Sequence, residues 1–98
     1  MDDLQFQWDR NKNKINYQKH GIHFQEASTV FYDENAIDYY DPDHSENECR
    51  FLMLGMSRNL RVLVVSFCYR EDDTIIRIIS SRKADKKEIH NYFSGGKL

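Results

Sequence analysis

Hydrophobic and polar residues follow two different periods along this chain. Alternation with a period of two, which is typical of half-buried strands, predicts a strand at 4–8. Further along, the residue pattern predicts four more strands, at 36–40, 48–57, 61–69 and 74–81. The last three are rich in β-branched and aromatic residues, which favour strands. Because short connections join these three, we expect them to pair antiparallel as a meander.

Two helices are predicted between the first two strands. Asp9 is placed to cap a helix over 10–20, and Gly21 is placed to end it in the left-handed conformation. Ile15 is the clearest core residue of this weakly amphipathic helix. Apolar residues spaced three and four apart then predict a second, short helix over 24–31.

A third helix is predicted near the C-terminus. Asp85 and Glu88 have the spacing of a capping box, although Ser81 is an alternative cap. The element order is then β-α-α-β-β-β-β-α. This order favours an α+β fold with a four- to five-stranded, mainly antiparallel sheet. We expect the helices to cover one sheet face and to leave the other face open.

Length and composition predict one domain over 1–98, with frayed ends at 1–3 and 94–98. The acidic start of the chain lacks the apolar core of a signal peptide, and the apolar runs are too short to cross a bilayer. We therefore expect a cytoplasmic protein. Cys49 and Cys68 have no CxxC spacing, and we expect them to be reduced thiols used for packing.

The net charge of −2 argues against a general polyanion binder, which is normally strongly basic. The distribution of charge is uneven. The segment 32–48 holds seven acids and no Lys or Arg, whereas 77–87 is mainly basic. Such segregation can place a positive site beside a negative flank, or it can be two ordinary solvated surfaces.

Arg77 interrupts an otherwise apolar strand, and Arg82 and Lys83 follow at the end of that strand. A guanidinium among isoleucines is costly unless it binds a carboxylate or a phosphate. An ion pair with Glu48 or another acid and a phosphate site are both open interpretations. Arg77 and Arg82 have opposite parity, so they share a site only if the strand twists or ends before Arg82.

A second cluster comprises His44, Glu48 and Arg50. Glu48 and Arg50 are two residues apart and would share a strand face, opposite Arg61 or Arg77. A carboxylate among arginines stays ionised and can act as a base or as an orienting partner. Histidine is the side chain best suited to transfer protons near neutral pH, so His44 can act in this way. A loop histidine is, however, more often an ordinary surface residue.

His20 and His23 form a third group. Two histidines without nearby further ligands make a weak metal site, so we expect no metal. His20 lies at a predicted helix C-terminus, where the macrodipole favours a positive charge. It can cap the helix or donate a proton.

Arginines, a carboxylate and a histidine without a cofactor motif favour cleavage of RNA by its own 2′-hydroxyl. The substrate supplies the nucleophile, so the protein only positions it, moves protons and stabilises charge on the phosphorane. Trp8, Tyr39, Tyr40 or Tyr92 can stack an unpaired base. No cofactor is expected.

Many of these residues occur in an order typical of one protein family. They are Trp8-Asp9, Asn11-Lys12, Asn16, Lys19-His20-Gly21, 24–27, 30–31, Asp43-His44-Ser45, Glu48, Arg50, Gly55, 61–65, 77–80, 82–84, Glu88 and Tyr92. Over 6–92 the chain resembles BrnT-type toxins. It departs from the family at Ser81, where Ala is usual, and at Cys49, where a second Glu is common.

The resemblance implies a RelE-like fold and an endoribonuclease toxin of a type II toxin–antitoxin system that inhibits translation and growth. It implies a BrnA-like antitoxin with a ribbon-helix-helix part, through which alone the complex binds operator DNA. It gives functional roles to Glu48, Arg50, Arg61, Arg77, Arg82, His20 and Tyr92.

From the residues and the resemblance together we expect a metal-independent site. Catalysis is expected from Glu48, Arg50, Arg77, Arg82 and His20. Substrate contacts are expected from Arg61, Lys19, Lys83, Tyr92, Trp8 and His44. The alternative hypothesis is a non-catalytic module that docks an antitoxin, with the aromatic pairs 31–32 and 39–40 and the acidic flank as its interface.

Overall fold

A five-stranded sheet forms the centre of the computed structural model, which describes residues 3–96. Its strands are β1 (Gln5–Gln7), β2 (Ile37–Tyr40), β3 (Phe51–Met56), β4 (Val62–Arg70) and β5 (Ile75–Lys83). They lie in the order β1-β5-β4-β3-β2, and β1 pairs parallel with β5 while the other pairs are antiparallel. The predicted α+β class and mainly antiparallel sheet are confirmed.

Three α-helices and two short 3₁₀ segments complete the described chain. They are α1 (Arg10–His20), α2 (Phe24–Ser28), α3 (Lys86–Phe93) and the 3₁₀ segments Thr29–Tyr32 and Pro42–His44. The second predicted helix is therefore α-helical only in its first half. Within residues 3–96 no helix is long and apolar enough to cross a membrane.

The helix ends follow local side-chain chemistry. Asp9 accepts a hydrogen bond of 2.9 Å from the backbone N–H of Lys12, and Gly21 ends α1 with φ of 71°. Asp85 and Glu88 form the reciprocal capping box of α3. The alternative cap, Ser81, is wrong because this residue lies inside β5.

Backbone hydrogen bonds hold 94–96 in a turn after α3. The predicted fraying of residues 1, 2, 97 and 98 lies outside the described part of the chain.

The meander has different limits from those predicted. β3 begins at Phe51 and not at residue 48, because 48–50 belong to the loop that follows β2. Cys49 is therefore an exposed loop residue, whereas Cys68 is buried in β4 as predicted. β4 and β5 run on to Arg70 and Lys83.

The larger core lies between the sheet and the first two helices. Phe24 and Ala27 of α2 pack with Val30 against the side chains of Leu63, Val65, Phe67, Ile76 and Ile78. All of these side chains are buried. Because successive side chains of a strand point to opposite faces of the sheet, residues 63, 65 and 67 of β4 lie on one face.

The second face is only partly open, which corrects the expectation of helices on one face. Tyr92 of α3 packs there with Leu54 and Val64 in a separate apolar cluster. Val64 alternates with Leu63 and Val65, so α3 lies on the face opposite α1 and α2. The part of this face beyond the α3 cluster remains uncovered.

The prediction that Ile15 is the core residue of α1 is wrong. Ile15 is 51% exposed, whereas its neighbour Asn16 is only 6% exposed. Asn16 donates from Nδ2 to the carbonyl of Ile22 at 2.9 Å and accepts from the Ser81 N–H at 3.0 Å. One amide side chain thus joins α1, the chain that follows it and β5.

A β-bulge in β5 changes which residues share a face. Ser80 pairs with Ser66, whereas Ile78 pairs with the adjacent residue Phe67, so Ile79 has no partner in β4. An extra residue of this kind reverses the alternation beyond it. Arg77 and Arg82 pair with Cys68 and Val64, two residues of the same parity. Both arginines therefore lie on the second face of the sheet, despite their opposite parity in sequence.

We expect Asn16→Ala to lower the free energy of unfolding by about 1–3 kcal/mol for each buried backbone group left without a partner. The groups concerned are the Ile22 carbonyl and the Ser81 N–H. Urea unfolding followed by the fluorescence of Trp8 measures the change. The matched control, Ile15→Ala on the exposed side of the same helix, should change stability by less than about 0.5 kcal/mol. Equal effects of the two substitutions would contradict this role for Asn16.

Candidate active site

A pocket of about 420 Å³ opens on the uncovered part of the second sheet face. Leu52, Val64 and Ser66 from β3 and β4 contribute to its floor. The complete lining is His20, Asp41, Asp43, His44, Arg50, Leu52, Val64, Ser66, Ile79, Ser80, Ser81 and Arg82. Four of the residues predicted to act in the site thus meet here: His20, His44, Arg50 and Arg82.

Three parts of the fold bring these side chains together. The C-terminal end of α1 carries His20, and the loop before β3 carries His44 and Arg50. The last turn of α1 also contains Lys19, which is exposed and lines a smaller cavity shared with His20. Beyond the bulge, β5 adds Arg82. A convergence of positive side chains from distant segments is what binding of a phosphodiester requires.

Arg82 is oriented by a carboxylate of α3. Its Nη1 and Nη2 atoms donate to the two oxygens of Glu88 at 2.8 and 2.9 Å. The same Glu88 closes the capping box of α3 with Asp85. Hydrogen bonding to Arg82 lowers the pKa of Glu88, so this carboxylate stays ionised. This pair uses two of the five guanidinium N–H groups, and Nη1 also donates to the Lys83 carbonyl at 3.3 Å, so two N–H groups stay available for a ligand.

Arg50 is held by its loop and has an unused donor. Its backbone N–H donates to the Ser45 hydroxyl at 2.9 Å, and its carbonyl accepts from the Asp41 N–H at 2.8 Å. The Nε atom is buried and has no hydrogen-bond partner among the described residues. The nearest carboxylate oxygen, on Glu48, lies 3.9 Å away.

His44 forms a hydrogen bond to an acid of the same loop. Its Nδ1 atom lies 2.9 Å from Oδ2 of Asp41. The side chain of Asp41 is 13% exposed and that of His44 is 67% exposed. The carboxylate is therefore shielded, while the imidazole remains accessible at the mouth of the pocket.

Glu48 belongs to a neighbouring cluster that contains an arginine not predicted from the sequence. Arg70 donates from Nη1 to Glu48 at 2.7 Å and to the sulfur of Cys68 at 3.0 Å. The hydrogen bond from Arg70 lowers the pKa of Glu48, and burial raises the pKa of the Cys68 thiol. Glu48 lines the depression beside the main pocket, together with His44 and Arg50.

Arg77 lies on the same sheet face as Arg82 but outside the pocket lining. Its Nη1 donates to the side-chain oxygen of Gln7 in β1 at 2.6 Å. Within residues 3–96 it forms no ion pair, so Glu48 does not bind it as one interpretation proposed. The pKa of Asp9 is lowered, mainly by a hydrogen bond from the Lys12 N–H and in smaller part by the charge of Arg77, so Arg77 has a carboxylate in its neighbourhood without an ion pair to it.

Arg61 occupies a different part of the molecule. Its Nε donates to Glu26 at 2.9 Å, its Nη2 donates to the other oxygen of Glu26, and Nη2 also reaches the Gly21 carbonyl at 3.2 Å. Glu26 is buried and also accepts a hydrogen bond of 2.7 Å from Ser57. This pair joins α2 to the end of the β3–β4 hairpin, so the structure gives Arg61 a stabilising position.

The two aromatic residues predicted to contact substrate, Tyr92 and Trp8, also lie outside the pocket lining. Tyr92 is a buried residue of α3, and its hydroxyl donates to Asp33 at 2.6 Å. Burial and this carboxylate raise the pKa of Tyr92 to about 12. Trp8 packs edge to face on Phe24, with ring centroids 6.2 Å apart. Lys83 is exposed at the end of β5 and is not part of the pocket lining.

The two histidines considered as metal ligands do not share an environment. His23 stacks on the ring of Tyr17 at a centroid distance of 3.8 Å, whereas His20 lines the pocket. Within the part of the chain that the structure describes, no three His, Cys, Asp or Glu side chains converge in a way that could hold a metal ion.

Comparison with known families identifies the chain. Residues 8–88 match the model of the family described as "Ribonuclease toxin, BrnT, of type II toxin-antitoxin system". The chain belongs to the BrnT toxin family. The crystal structure of the Brucella abortus ribonuclease toxin BrnT is similar, with a TM-score of 0.62 and 21% sequence identity. The match covers 86% of this chain and all of that one. A search of curated protein sequences gave no match.

Membership of the BrnT family places the chain among the ribonuclease toxins of type II toxin–antitoxin systems. Such membership implies an RNA target and an antitoxin partner. The likeness to the Brucella BrnT structure confirms the fold, a mixed sheet with helices on it.

We expect the Arg61–Glu26 pair to make stability depend on pH. The hydrogen bond from Arg61, against the opposing effect of burial, lowers the pKa of Glu26 from its ordinary value of 4.5. The pair therefore stabilises the fold fully above pH 4.5 and progressively less as pH falls towards the folded-state pKa. The difference in free energy of unfolding between wild type and Glu26→Gln should shrink on acidification. Urea titrations at several pH values measure it.

The control for this titration is Glu34→Gln, which removes an exposed carboxylate. Its difference from wild type should stay small throughout, because a solvated acid interacts almost equally in folded and unfolded chains. A wild-type-to-Glu26→Gln difference that stays constant from neutral pH to pH 3 would contradict the prediction.

Proposed function

We propose that the chain is a metal-independent endoribonuclease that cleaves RNA by activating the substrate's own 2′-hydroxyl. The convergence of Arg50, Arg82, His20 and His44 on one open pocket is the observation that carries this proposal. These residues supply phosphate binding and proton transfer, and the substrate itself supplies the nucleophile. The family description as a ribonuclease toxin supports the same activity.

The arginines are suited to bind the scissile phosphate. The partly exposed Arg50 guanidinium lines the pocket, and Arg82 keeps N–H groups beyond those that bond Glu88 and the Lys83 carbonyl. As the 2′-oxygen attacks phosphorus, negative charge grows on the non-bridging oxygens, and fixed guanidinium donors stabilise that charge most. Arg77 and Lys19, which lie beside the pocket, extend the positive surface along the RNA backbone.

Two proton transfers complete the reaction. A base removes the proton from the 2′-hydroxyl as the O2′–P bond forms, and an acid protonates the 5′-oxygen as the P–O5′ bond breaks. The products are a 2′,3′-cyclic phosphate and a 5′-hydroxyl. His20 and Glu48 remain candidates for these transfers. His20 is the better placed, because it lines the pocket whereas Glu48 is bonded to Arg70.

We further propose that the chain acts in the cytoplasm as the toxin of its system and that its partner is BrnA-like. In this proposal a ribbon-helix-helix part of the antitoxin binds operator DNA, and the toxin reaches DNA only through that complex. Cleavage of RNA on a RelE-like fold would inhibit translation and growth. The family match supports the existence of an antitoxin, and the net charge of −2 favours indirect DNA binding.

We expect Arg50→Ala and Arg82→Ala each to lower the rate of RNA cleavage by about 10²–10³-fold, because each removes a fixed donor to the developing charge. Cleavage of a short labelled RNA by the purified chain, with EDTA present, measures the effect and tests metal independence. The matched control is Arg58→Ala, which removes an exposed arginine from the β3–β4 turn. If both pocket variants cut RNA at the wild-type rate while they remain folded, the site is wrong.

Expression of the chain without its antitoxin separates the nuclease from the alternative of a non-catalytic docking module. We expect induction of the wild-type chain to arrest growth and the Arg50→Ala, Arg82→Ala double variant to be harmless. Optical density and total RNA integrity after induction measure this, with immunoblots to show equal amounts of protein. Growth arrest by both proteins, with intact RNA, would favour the docking module.

A further inference from the structure

The Asp41–His44 pair lines the pocket, and the proposed function gives neither residue a defined step. Asp41 is the cap residue before the 3₁₀ segment Pro42–His44, and His44 is the last residue of that segment. The shielded Asp41 carboxylate accepts from, or shares a proton with, Nδ1 of His44 at 2.9 Å. A carboxylate bonded to Nδ1 favours the tautomer with its proton on Nδ1 and leaves Nε2 as a base. In this form the accessible edge of the ring is ready to take a proton.

The loop that carries the pair is closed by its own hydrogen bonds. The Asp41 N–H donates to the Arg50 carbonyl, and the Ser45 hydroxyl bonds both the Asp41 carbonyl and the Arg50 N–H. The pair and the guanidinium of Arg50 therefore share one backbone frame. A rigid frame is what sets an acid–base group at a constant distance from a bound phosphate.

We propose that His44 is the general base of the RNA cleavage and that Asp41 is its positioning residue. This inference rests on the proposed nuclease function. Nε2 of His44 takes the 2′-hydroxyl proton as the O2′–P bond forms. His20, from the α1 side of the pocket, gives a proton to the 5′-oxygen as the P–O5′ bond breaks. The neutral His20 and protonated His44 then exchange protons with solvent, which restores the starting state.

The charged groups around His44 fit this division of roles. Those on its own loop and in the two depressions that it lines are Asp41, Asp43, Glu46, Glu48, Arg50, Arg82 and His20. Glu48 is the rival base, but Arg70 bonds it and lowers its pKa, which makes it a weak proton acceptor. Among the acids of this set, Asp41 alone bonds the imidazole in the described residues.

The test compares His44→Ala and Asp41→Asn with Glu34→Gln, which removes an exposed acid outside both depressions that His44 lines. We expect His44→Ala to lower kcat by about 10²–10⁴-fold, the usual contribution of a general base. Asp41→Asn should lower kcat by a smaller factor with little change in KM, and should alter the acidic limb of the pH–rate profile. Glu34→Gln should match wild type.

Two further measurements distinguish a chemical role from a structural one. Added imidazole should restore part of the activity of His44→Ala, because the position is exposed to solvent. Nitrogen-15 NMR of His44 should show the proton on Nδ1 in the wild type and a shift towards Nε2 in Asp41→Asn. If the wild type cuts RNA but Asp41→Asn keeps its kcat, pH profile and tautomer, the pair has no such role and the nuclease proposal stands. A wild-type chain that leaves RNA intact overturns both.

Discussion

The arrangement of the pocket depends on one irregularity in the sheet, the bulge at Ile79. Without the extra residue, Arg82 would point to the face covered by α1 and α2, where a guanidinium would have to displace core side chains. With it, Arg77 and Arg82 share the second face although five positions separate them. Asn16 bonds the N–H of Ser81 just beyond the bulge, and the same helix ends at His20. One buried amide therefore links the positions of an arginine and a histidine that come from distant parts of the sequence.

The environment of each arginine separates a stabilising position from one open to a ligand. Arg61 binds a buried carboxylate through two nitrogens, so loss of Arg61 would leave the buried charge of Glu26 uncompensated. Arg82 also binds a carboxylate through two nitrogens, but its partner belongs to an accessible helix cap, and the guanidinium remains at the pocket. Arg50 retains a donor without a partner. Motif identity alone does not make this distinction, because all three arginines occur in the same family pattern.

Periodicity in the sequence was enough to predict the element order, the antiparallel meander and both helix caps at Asp9 and Asp85. The pairing of Glu48 with Arg70 could also have been predicted from the sequence, because both residues lie eleven positions from Asn59, the centre of the β3–β4 turn. The bulge could not have been predicted, because Ile79 looks like any other isoleucine in an apolar strand. The burial of Asn16 in place of Ile15 was equally hidden. It is decided by backbone groups of Ile22 and Ser81 that meet α1 only in the folded chain.

The chain has a net charge of −2, so its overall charge gives no long-range attraction for nucleic acid. Acids near the pocket are largely bonded to basic side chains: Asp41 to His44, Glu48 to Arg70 and Glu88 to Arg82. These pairs fix the orientation of the basic side chains, and the two arginine ion pairs reduce the electric field that would attract any polyanion. In the proposed mechanism, recognition of a phosphodiester would rest on short-range hydrogen bonds at one site, whose strength depends on geometry. Such a site would be sufficient for a reaction in which the substrate supplies its own nucleophile, because the protein would need only to align one phosphate and move two protons.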